Sequence, residues 1–215
     1  MRVVVYLEGS SDKLALSVLL QSLVERKLQE GIKIEFFETP NGDRKESLLT
    51  KVPIKAVNIL LNDPSSVVIA IPDLYPKNKC FPHETYPELV QGLTADFKRA
   101  LHQKTGITDI RLVQRFRIFC FKHDLEALLL ASEESLKAYF GDRLNISWCT
   151  PVEDQNHNRP PKYVIEEIFR LHKHKYKGTV DAPLILSRVS YQLIAERCPQ
   201  CFRPFVEYLE NIQEL

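Results

Sequence analysis

Acidic residues follow three of the apolar segments in this sequence. Glu8 ends one apolar run and Asp12 comes one helical turn later, Asp73 follows the run SVVIAI, and Asp124 and Glu126 follow another. Carboxylate oxygens are the ligands that hard cations such as Mg²⁺ prefer. Without a cation, carboxylates gathered in one place repel and raise one another's pKa. These five residues are therefore candidate ligands for Mg²⁺ or Mn²⁺, an ion that polarises a phosphodiester and lowers the pKa of an attacking water.

Each of these positions also has a purely structural interpretation. Asp12 is equally suited to start a helix, because Asp, Ser and Gly are common turn and cap residues after a strand. His123, which directly precedes Asp124, also fits a hydrogen-bonded core or cap histidine. Glu8 is harder to explain in this way, because Glu is a poor turn former and here ends a buried strand.

The elements that must position these residues alternate between strand and helix patterns. This alternation predicts an α/β fold, a doubly wound sheet of about four mainly parallel strands flanked by helices, with a helical C-terminal extension. In such a sheet, ligands bind beyond the carboxyl ends of the strands. We expect an α/β core over residues 1–147 and a Pro-rich loop followed by helices over residues 148–215. The predicted strands are Arg2–Leu7, Ile32–Phe37, Ser66–Ile71 and a part of Arg111–Phe121. The predicted helices span residues 10–28, 45–61, 88–103, 124–131, 163–174, 183–196 and 205–212, and the second of them has a kink or break at Pro53.

Composition excludes several classes of protein. The chain has 215 residues, of which 44% are hydrophobic and 27% charged, which is ordinary for a globular protein. Lys and Arg number 29 against 28 Asp and Glu, so a contact with nucleic acid would need a local patch or metal ions. No apolar segment approaches the roughly 20 residues that cross a bilayer. The N-terminal apolar run is too short for a signal peptide, and five irregularly spaced cysteines favour a reducing compartment, so we expect a cytoplasmic protein.

Three further segments have alternative interpretations. Cys198 and Cys201 have C-x-x-C spacing, but a structural zinc needs four ligands and no second pair accompanies them. Residues His172–Lys177 form a basic patch, which is either a solvated helix end or a contact to phosphates or to a partner. The loop Asn156–Asn158 either covers a site or simply connects two elements. The sequence contains no P-loop, G-x-G-x-x-G or G-x-S-x-G, which argues against ATP hydrolysis, dinucleotide chemistry and serine-hydrolase chemistry.

The segments VVVYLEGSSDK and SSVVIAIPDLYP resemble the TOPRIM domains of primases, topoisomerases and overcoming-lysogenization-defect (OLD) nucleases. In those domains a Glu ends the first strand and an Asp-x-Asp ends the third, and the OLD group has a second acidic position that Asp12 resembles. The chain is similar, more specifically, to a bacterial TOPRIM-related family known as a domain of unknown function. That likeness runs through Glu8, residues 73–75, 123–128, 152–156 and 160–162, and Cys198, Pro199, Phe202 and Leu209.

The chain departs from the wider TOPRIM pattern at one position. Tyr75 stands where better-known TOPRIM enzymes have the second Asp, and this removes one metal ligand. Glu126, His123 or Asp124 could complete the site instead. Equally, the site could bind one metal, or have lost catalysis.

The resemblance implies a set of roles for an active site. Asp73 and Asp12 would hold Mg²⁺, and Glu8 would be a further ligand or the general acid/base. His123 would polarise the scissile phosphate or position a water, and Glu126 would ligate or orient it. Two lysines near the strand ends would meet phosphate oxygens, namely Lys13 and Lys122.

The implied function is a Mg²⁺-dependent nuclease or a related phosphodiester-cleaving subunit in bacterial anti-phage defence, beside an ATPase supplied by another chain. DNA and RNA, including tRNA, are both candidate substrates, and the sequence is compatible with a homodimer. The alternative is a catalytically degenerate, TOPRIM-shaped adaptor that binds an ATPase. A third interpretation is a regulator that responds to nucleotides or phosphate.

Overall fold

A four-stranded parallel sheet organises the fold of the chain. The computed structural model describes residues 1–39, 44–77, 81–141, 144 and 146–213. The sheet has the order β2-β1-β3-β4, and each neighbouring pair is parallel. The predicted α/β fold class is therefore confirmed. The strands are β1 (Arg2–Leu7), β2 (Lys33–Glu38), β3 (Val67–Ile71) and β4 (Phe116–Ile118).

The two central strands are the most apolar ones. All five residues of β3 are buried, and Val3, Val4 and Val5 of β1 are fully buried. Continuous β-branched runs of this kind are typical of strands that are covered on both faces. β2 lies on one side of β1 and β3 lies on the other, so the strand order reverses between β1 and β3. In open α/β sheets this reversal point is where ligands bind.

Eleven α-helices lie in the described part of the chain. They are α1 (Ser10–Leu19), α2 (Gln21–Gln29), α3 (Arg44–Asn62), α4 (Tyr86–Thr105), α5 (Ile110–Val113), α6 (Glu126–Ala131), α7 (Glu133–Phe140), α8 (Pro161–Leu171), α9 (Gly178–Leu186), α10 (Tyr191–Arg197) and α11 (Phe202–Asn211), with one 3₁₀ turn at Val152–Asp154.

Two helices, α5 and α7, were not predicted, and three predicted helices differ from the structure in where the helix is interrupted. The single helix expected over residues 10–28 is two helices, because the α-helix pauses at Leu20. The helix expected over 183–196 is also two, because the Ser190 hydroxyl caps a new helix by accepting from the Leu193 N–H at 3.3 Å. Conversely, α3 continues through Pro53 without the break that proline often causes.

Contacts divide the chain into two compact units. The first unit comprises Met1–Gly9, Val24–Cys120 and Ile212–Leu215, and it contains the sheet. The second unit comprises Ser10–Leu23 and Phe121–Asn211. The predicted division at residues 147 and 148 follows a change in composition, whereas the contacts place that point inside the second unit.

In the first unit, the sheet is packed against α3 and α4. Leu89, Leu93 and Phe97 form the buried face of α4, and the Phe97 ring stacks on Phe116 of β4 with centroids 4.9 Å apart. The buried ammonium group of Lys27 lies 2.7 Å from the Glu30 carboxylate and 3.0 Å from the Ile212 carbonyl oxygen. Because a buried cation needs such partners, Lys27 fixes Ile212 to α2.

In the second unit, α6 is buried along its whole length and α1 packs against α9. Glu153, of which 2% is exposed, ties the 3₁₀ turn to the start of α11. Its carboxylate accepts hydrogen bonds from the N–H groups of Gln200, Cys201 and Phe202 at 2.6, 2.8 and 3.3 Å. A carboxylate at a helix N-terminus satisfies donors that have no partner within the helix.

The described residues were compared with the requirements for a membrane-spanning helix and for a disulfide. No helix among them is long and apolar enough to span a membrane. Cys120, Cys149, Cys198 and Cys201 are free thiols. Burial, followed by the nearby Glu153 carboxylate, raises the pKa of the Cys198 thiol, which therefore stays protonated.

We predict that Glu153→Gln lowers the free energy of unfolding by about 2–4 kcal/mol, because three N–H groups at the start of α11 lose a charged, buried acceptor. Asp154→Asn is the matched control, since Asp154 is exposed and makes a partly exposed ion pair with Lys122 at 2.7 Å. The control should lose no more than about 1 kcal/mol. Urea denaturation measures both, and equal losses in the two variants would contradict the proposed part of Glu153.

Candidate functional site

Glu8 and Asp73 meet at the carboxyl edge of the sheet, in the first unit. Leu7 and Ile71 are paired in register, so the residues that follow β1 and β3 leave the sheet at the same edge. The Glu8 Oε1 atom accepts a hydrogen bond from the Asp73 N–H at 2.9 Å. The buried Thr39 hydroxyl lies 2.8 Å from the Glu8 carbonyl oxygen and holds its backbone. The structure thus brings together the two residues on which the predicted site depends most.

Tyr75 does not replace the missing carboxylate of the Asp-x-Asp pattern. Its hydroxyl donates a hydrogen bond to the Glu84 carbonyl oxygen at 3.1 Å. The same loop is held by the buried His83 ring, whose two nitrogens lie 2.9 Å from the Phe81 and 3.1 Å from the Leu74 carbonyl oxygens. The phenol therefore stabilises the loop after β3, and Asp73 is the carboxylate of the Asp-x-Asp pattern that remains.

Asp124 and Glu126 form a second acidic group, in the second unit. Glu126 is the first residue of α6 and only 6% exposed. The Asp124 Oδ2 atom accepts a hydrogen bond from the Lys162 N–H at 3.2 Å. Its Oδ1 atom is buried and has no hydrogen-bond partner in the described residues. A buried carboxylate oxygen without a partner is costly, and such groups call for a ligand or another explanation.

The electrostatics of this pair favour either bound protons or a bound cation. Burial, followed by the charge of Glu126, raises the pKa of Asp124. Burial also raises the pKa of Glu126, and the charge of Asp12 acts in the same direction. The Lys162 ammonium and the Tyr176 hydroxyl oppose this shift at Glu126 but do not cancel it. A cation between the carboxylates would remove the repulsion.

Tyr176 and Lys162 are parts of the site that sequence reasoning did not single out as site residues. The Tyr176 hydroxyl donates to the Glu126 Oε1 atom at 3.0 Å. Burial and the Glu126 charge raise the pKa of this phenol, so it remains a donor. Lys162 contributes its N–H to Asp124 and its charge to both carboxylates. Lys162 and Tyr176 lie 36 to 50 positions after the carboxylates that they contact, so only the folded chain brings them there. No local sequence pattern identifies either residue.

Asp12 lies in the first turn of α1, within the same unit as the pair. Its Oδ1 atom accepts from the Ser11 hydroxyl at 3.3 Å. A Cβ atom on Gly178 would come within 3.2 Å of the Ser11 Cβ and 3.5 Å of the Tyr176 hydroxyl oxygen, so a glycine allows this close approach. The start of α1 therefore lies beside Tyr176. Asp12 is a helix-start residue, and its charge also contributes to the raised pKa of Glu126.

His123 lies beside a second histidine. Its buried ring contacts the exposed His157 ring edge to face, with centroids 4.9 Å apart. Burial, followed by the positive charge of His157, lowers the pKa of His123. At neutral pH the His123 imidazole is therefore uncharged, and it can accept a proton but cannot neutralise a phosphate as a cation. The loop Asn156–Asn158 supplies His157 and closes on itself, since the Asn156 side chain accepts from the Asn158 N–H at 2.8 Å.

The two lysines predicted to bind phosphate lie in different surroundings. The Lys122 ammonium lies 2.7 Å from the Asp154 carboxylate and 3.0 Å from the Gln200 side-chain oxygen. These contacts hold the turn that contains Cys198 and Cys201. Lys13 is half-buried on α1. Phosphate binding by either lysine stays a prediction.

The described residues contain no group of three or more His, Cys, Asp or Glu side chains that is arranged to hold a metal ion. A cage of protein ligands of the kind that Ca²⁺ uses is therefore not built from these residues. Mg²⁺ has a different coordination preference, because it usually keeps several waters and is bound through one or two carboxylates together with substrate phosphates. The pair Asp124 and Glu126 is compatible with that coordination, as is the pair Glu8 and Asp73.

One comparison with known proteins places the chain in a family. Residues 7–210 match the model of the family described as domain of unknown function DUF4276. The chain belongs to this family. No curated protein and no solved structure matches it. The expected likeness to a domain of unknown function is thus confirmed, and the DUF4276 match includes every residue predicted for the site.

We predict that Asp124→Asn stabilises the metal-free protein more at pH 8 than at pH 5. The folded state raises the pKa of Asp124 above its unfolded value near 4, so the wild type loses stability as pH rises. The variant has no such group. Thermal unfolding in EDTA should show the variant gaining about 2–4 °C or more on the wild type between the two pH values, the equivalent of about 1 kcal/mol.

Asp154→Asn is the control for this comparison. Its hydrogen bond to Lys122, followed by that to Gln200, lowers the pKa of Asp154, so this carboxylate is ionised above pH 5 in both states. Its effect on stability should therefore be the same at pH 5 and pH 8. Parallel pH profiles for the Asp124 and Asp154 variants would show that Asp124 is not protonated in the folded protein.

Proposed function

We propose that this chain is a Mg²⁺-dependent nuclease, or a related phosphodiester-cleaving subunit, with Asp124 and Glu126 at its reaction centre. The observation that carries the proposal is the buried Asp124 Oδ1 atom without a hydrogen-bond partner in the described residues, next to a second buried carboxylate. Two such carboxylates destabilise a protein unless something uses them. Perturbed pairs of this kind are concentrated at functional sites.

The donor set fits magnesium or manganese. It consists of carboxylate oxygens, which are hard ligands, and it leaves coordination positions for water and for phosphate oxygens. Asp124 and Glu126 would hold the ion, with Asp12 adding negative charge nearby. When bound, the ion would polarise a phosphodiester and lower the pKa of a water.

The chain's own residues would prepare the remaining parts of the reaction. The Tyr176 hydroxyl and the Lys162 N–H orient the two carboxylates. The Lys162 side chain is exposed, and its charge reaches both carboxylates, so it could neutralise a phosphate held there. His123, uncharged at neutral pH, could accept a proton from a water.

Glu8 and Asp73 are the second acidic pair in this proposal. Their hydrogen bond fixes the Glu8 carboxylate at the reversal point of the sheet, where ligands bind in such folds. We assign Asp73 as a ligand for Mg²⁺ and Glu8 as a further ligand or general acid/base. Lys13 and Lys122 are proposed to meet phosphate oxygens, the latter after release from its partly exposed ion pair.

The resemblance to TOPRIM and OLD nucleases supports the same function from the sequence side. It rests on Glu8 and Asp73 at the ends of β1 and β3 and on Asp12. On this basis we propose a cytoplasmic bacterial defence protein that acts on DNA or RNA, alone or beside an ATPase subunit.

A non-catalytic function is the second candidate. Tyr75 removes one carboxylate from the TOPRIM pattern, and its phenol is bound to the Glu84 backbone. In addition, no group of three metal-binding side chains is preformed in the described residues. These two observations favour an adaptor that retains the fold and docks on an ATPase.

We predict that the wild type cleaves mixed DNA and RNA substrates with Mg²⁺ or Mn²⁺ and that four single variants lose at least about 100-fold in rate, because each removes a carboxylate that would hold a metal ion or a proton within its own unit. The variants are Glu8→Gln, Asp73→Asn, Asp124→Asn and Glu126→Gln. Glu133→Gln, which changes a half-exposed carboxylate in the same way, should cleave at the wild-type rate. Gel assays over a Mg²⁺ titration give the rates.

The outcomes separate the two candidates. Cleavage that survives in Asp124→Asn and Glu126→Gln would remove these residues from the reaction. Absence of cleavage by the wild type, with and without a co-expressed ATPase, would favour the adaptor. In that case Mg²⁺ should also fail to raise the melting temperature of the wild type.

A further inference from the structure

A run of cationic side chains without a carboxylate joins α8 to α9. Residues 168–180 contain no Asp or Glu, whereas they contain Arg170, Lys173, Lys175 and Lys177 together with two histidines. The formal net charge of the whole chain is only +1. The positive charge is therefore concentrated locally here, in what we term the basic segment (residues 173–177).

The charged groups of the basic segment are available to solvent. Lys173, His174, Lys175 and Lys177 are exposed. In the part of the chain that the structure describes, no hydrogen bond or ion pair involves the ammonium groups of Lys175 and Lys177. The nearest acidic residue along the chain, Asp181, is buried and already accepts from the Lys177 N–H at 2.6 Å and from the Tyr139 hydroxyl at 3.0 Å.

Helix electrostatics explain Lys173 but not Lys177. A cation just after α8 is favourable because a helix C-terminus is negative, and this accounts for Lys173. Lys177, however, is the N-cap residue of α9, where the helix dipole disfavours a positive side chain. It makes no side-chain capping hydrogen bond there. Helix stability therefore does not account for a lysine at this position.

The segment is fixed at both of its ends. Directly before it, the His172 ring stacks on Phe140 with centroids 4.4 Å apart, and within it the His174 N–H donates to the Phe169 carbonyl oxygen at 2.9 Å. Near its end, the Tyr176 hydroxyl binds Glu126 at 3.0 Å. A charged segment that is already ordered binds a ligand with less loss of conformational entropy.

This anchoring also ties the basic segment to the proposed reaction centre, through the Tyr176 hydroxyl. Tyr176 is half-buried with its hydroxyl on the Glu126 carboxylate, and Lys175 and Lys177 are its two neighbours in the sequence. In an extended chain they are at most about 7 Å apart. The phosphates of one DNA strand recur about every 3.4 Å along the helix axis, so two such lysines can reach phosphates of a single strand.

We propose that the basic segment binds the sugar–phosphate backbone of a nucleic acid through Lys175 and Lys177, the two neighbours of Tyr176. This inference rests on the proposed function and names the element that binds its substrate. The contact carries no base specificity, because lysines on phosphates fix position rather than sequence.

The test compares two double variants by fluorescence anisotropy with labelled single-stranded DNA, double-stranded DNA and RNA, in EDTA, from 50 to 200 mM salt. Lys175→Gln/Lys177→Gln removes the proposed contacts. Lys51→Gln/Lys98→Gln is the matched control, since it removes the same charge from exposed lysines of α3 and α4 in the first unit. Lys173 is left unchanged because its φ of 59° makes a replacement there alter the backbone as well.

We expect the first variant to bind on the order of tenfold more weakly. The plot of log association constant against log salt concentration should become less steep by about 2, one for each phosphate contact that is lost. The control should match the wild type. Equal affinities and slopes for the two variants would overturn the inference, as would a wild type that binds no oligonucleotide. Binding to phosphatidylserine vesicles in place of oligonucleotides would overturn it too.

Because EDTA prevents cleavage, binding and catalysis are read separately. Lysine-dependent binding without cleavage in Mg²⁺ would support the basic segment and contradict the nuclease. Cleavage in Mg²⁺ with binding unchanged in Lys175→Gln/Lys177→Gln would support the nuclease and contradict the basic segment.

Discussion

The desolvation of two carboxylates is the constraint on which the second unit depends. Asp124 and Glu126 are held where burial disfavours their charge, and the groups around them offset this only in part. Tyr176, Lys162 and the start of α1 all lie where they act on this pair. Replacing the pair by apolar residues of similar volume would often be neutral or stabilising, so packing alone does not explain its presence.

The sheet could be predicted from the sequence because its central strands are continuous apolar runs. The first strand was predicted at Arg2–Leu7 and is found there, and the third differs by a single residue at its start. From these strands and the order rule for parallel sheets, the meeting of Glu8 and Asp73 followed as well. Local pattern and topology agree in this part of the chain.

The second acidic group was harder to predict, because long-range contacts define it. Asp124 and Glu126 were candidates from their sequence position, but the unpartnered oxygen of Asp124 is a property of the packed structure. The sequence places Tyr176 in a basic patch, whereas in the structure its hydroxyl donates a hydrogen bond to Glu126, 50 residues away in sequence. The split of the first predicted helix at Leu20 was missed for a different reason, since both halves carry a helical pattern and nothing local marks the pause.

The unpartnered Asp124 oxygen also has a consequence for protein engineering. Natural proteins keep strained or unpaired groups where function requires them, and their replacement commonly raises stability. A selection for thermal tolerance alone would therefore favour neutral residues at Asp124, and next at Glu126. A more heat-resistant descendant of this protein would be expected to keep its sheet and to lose first the two carboxylates that give the second unit its chemistry.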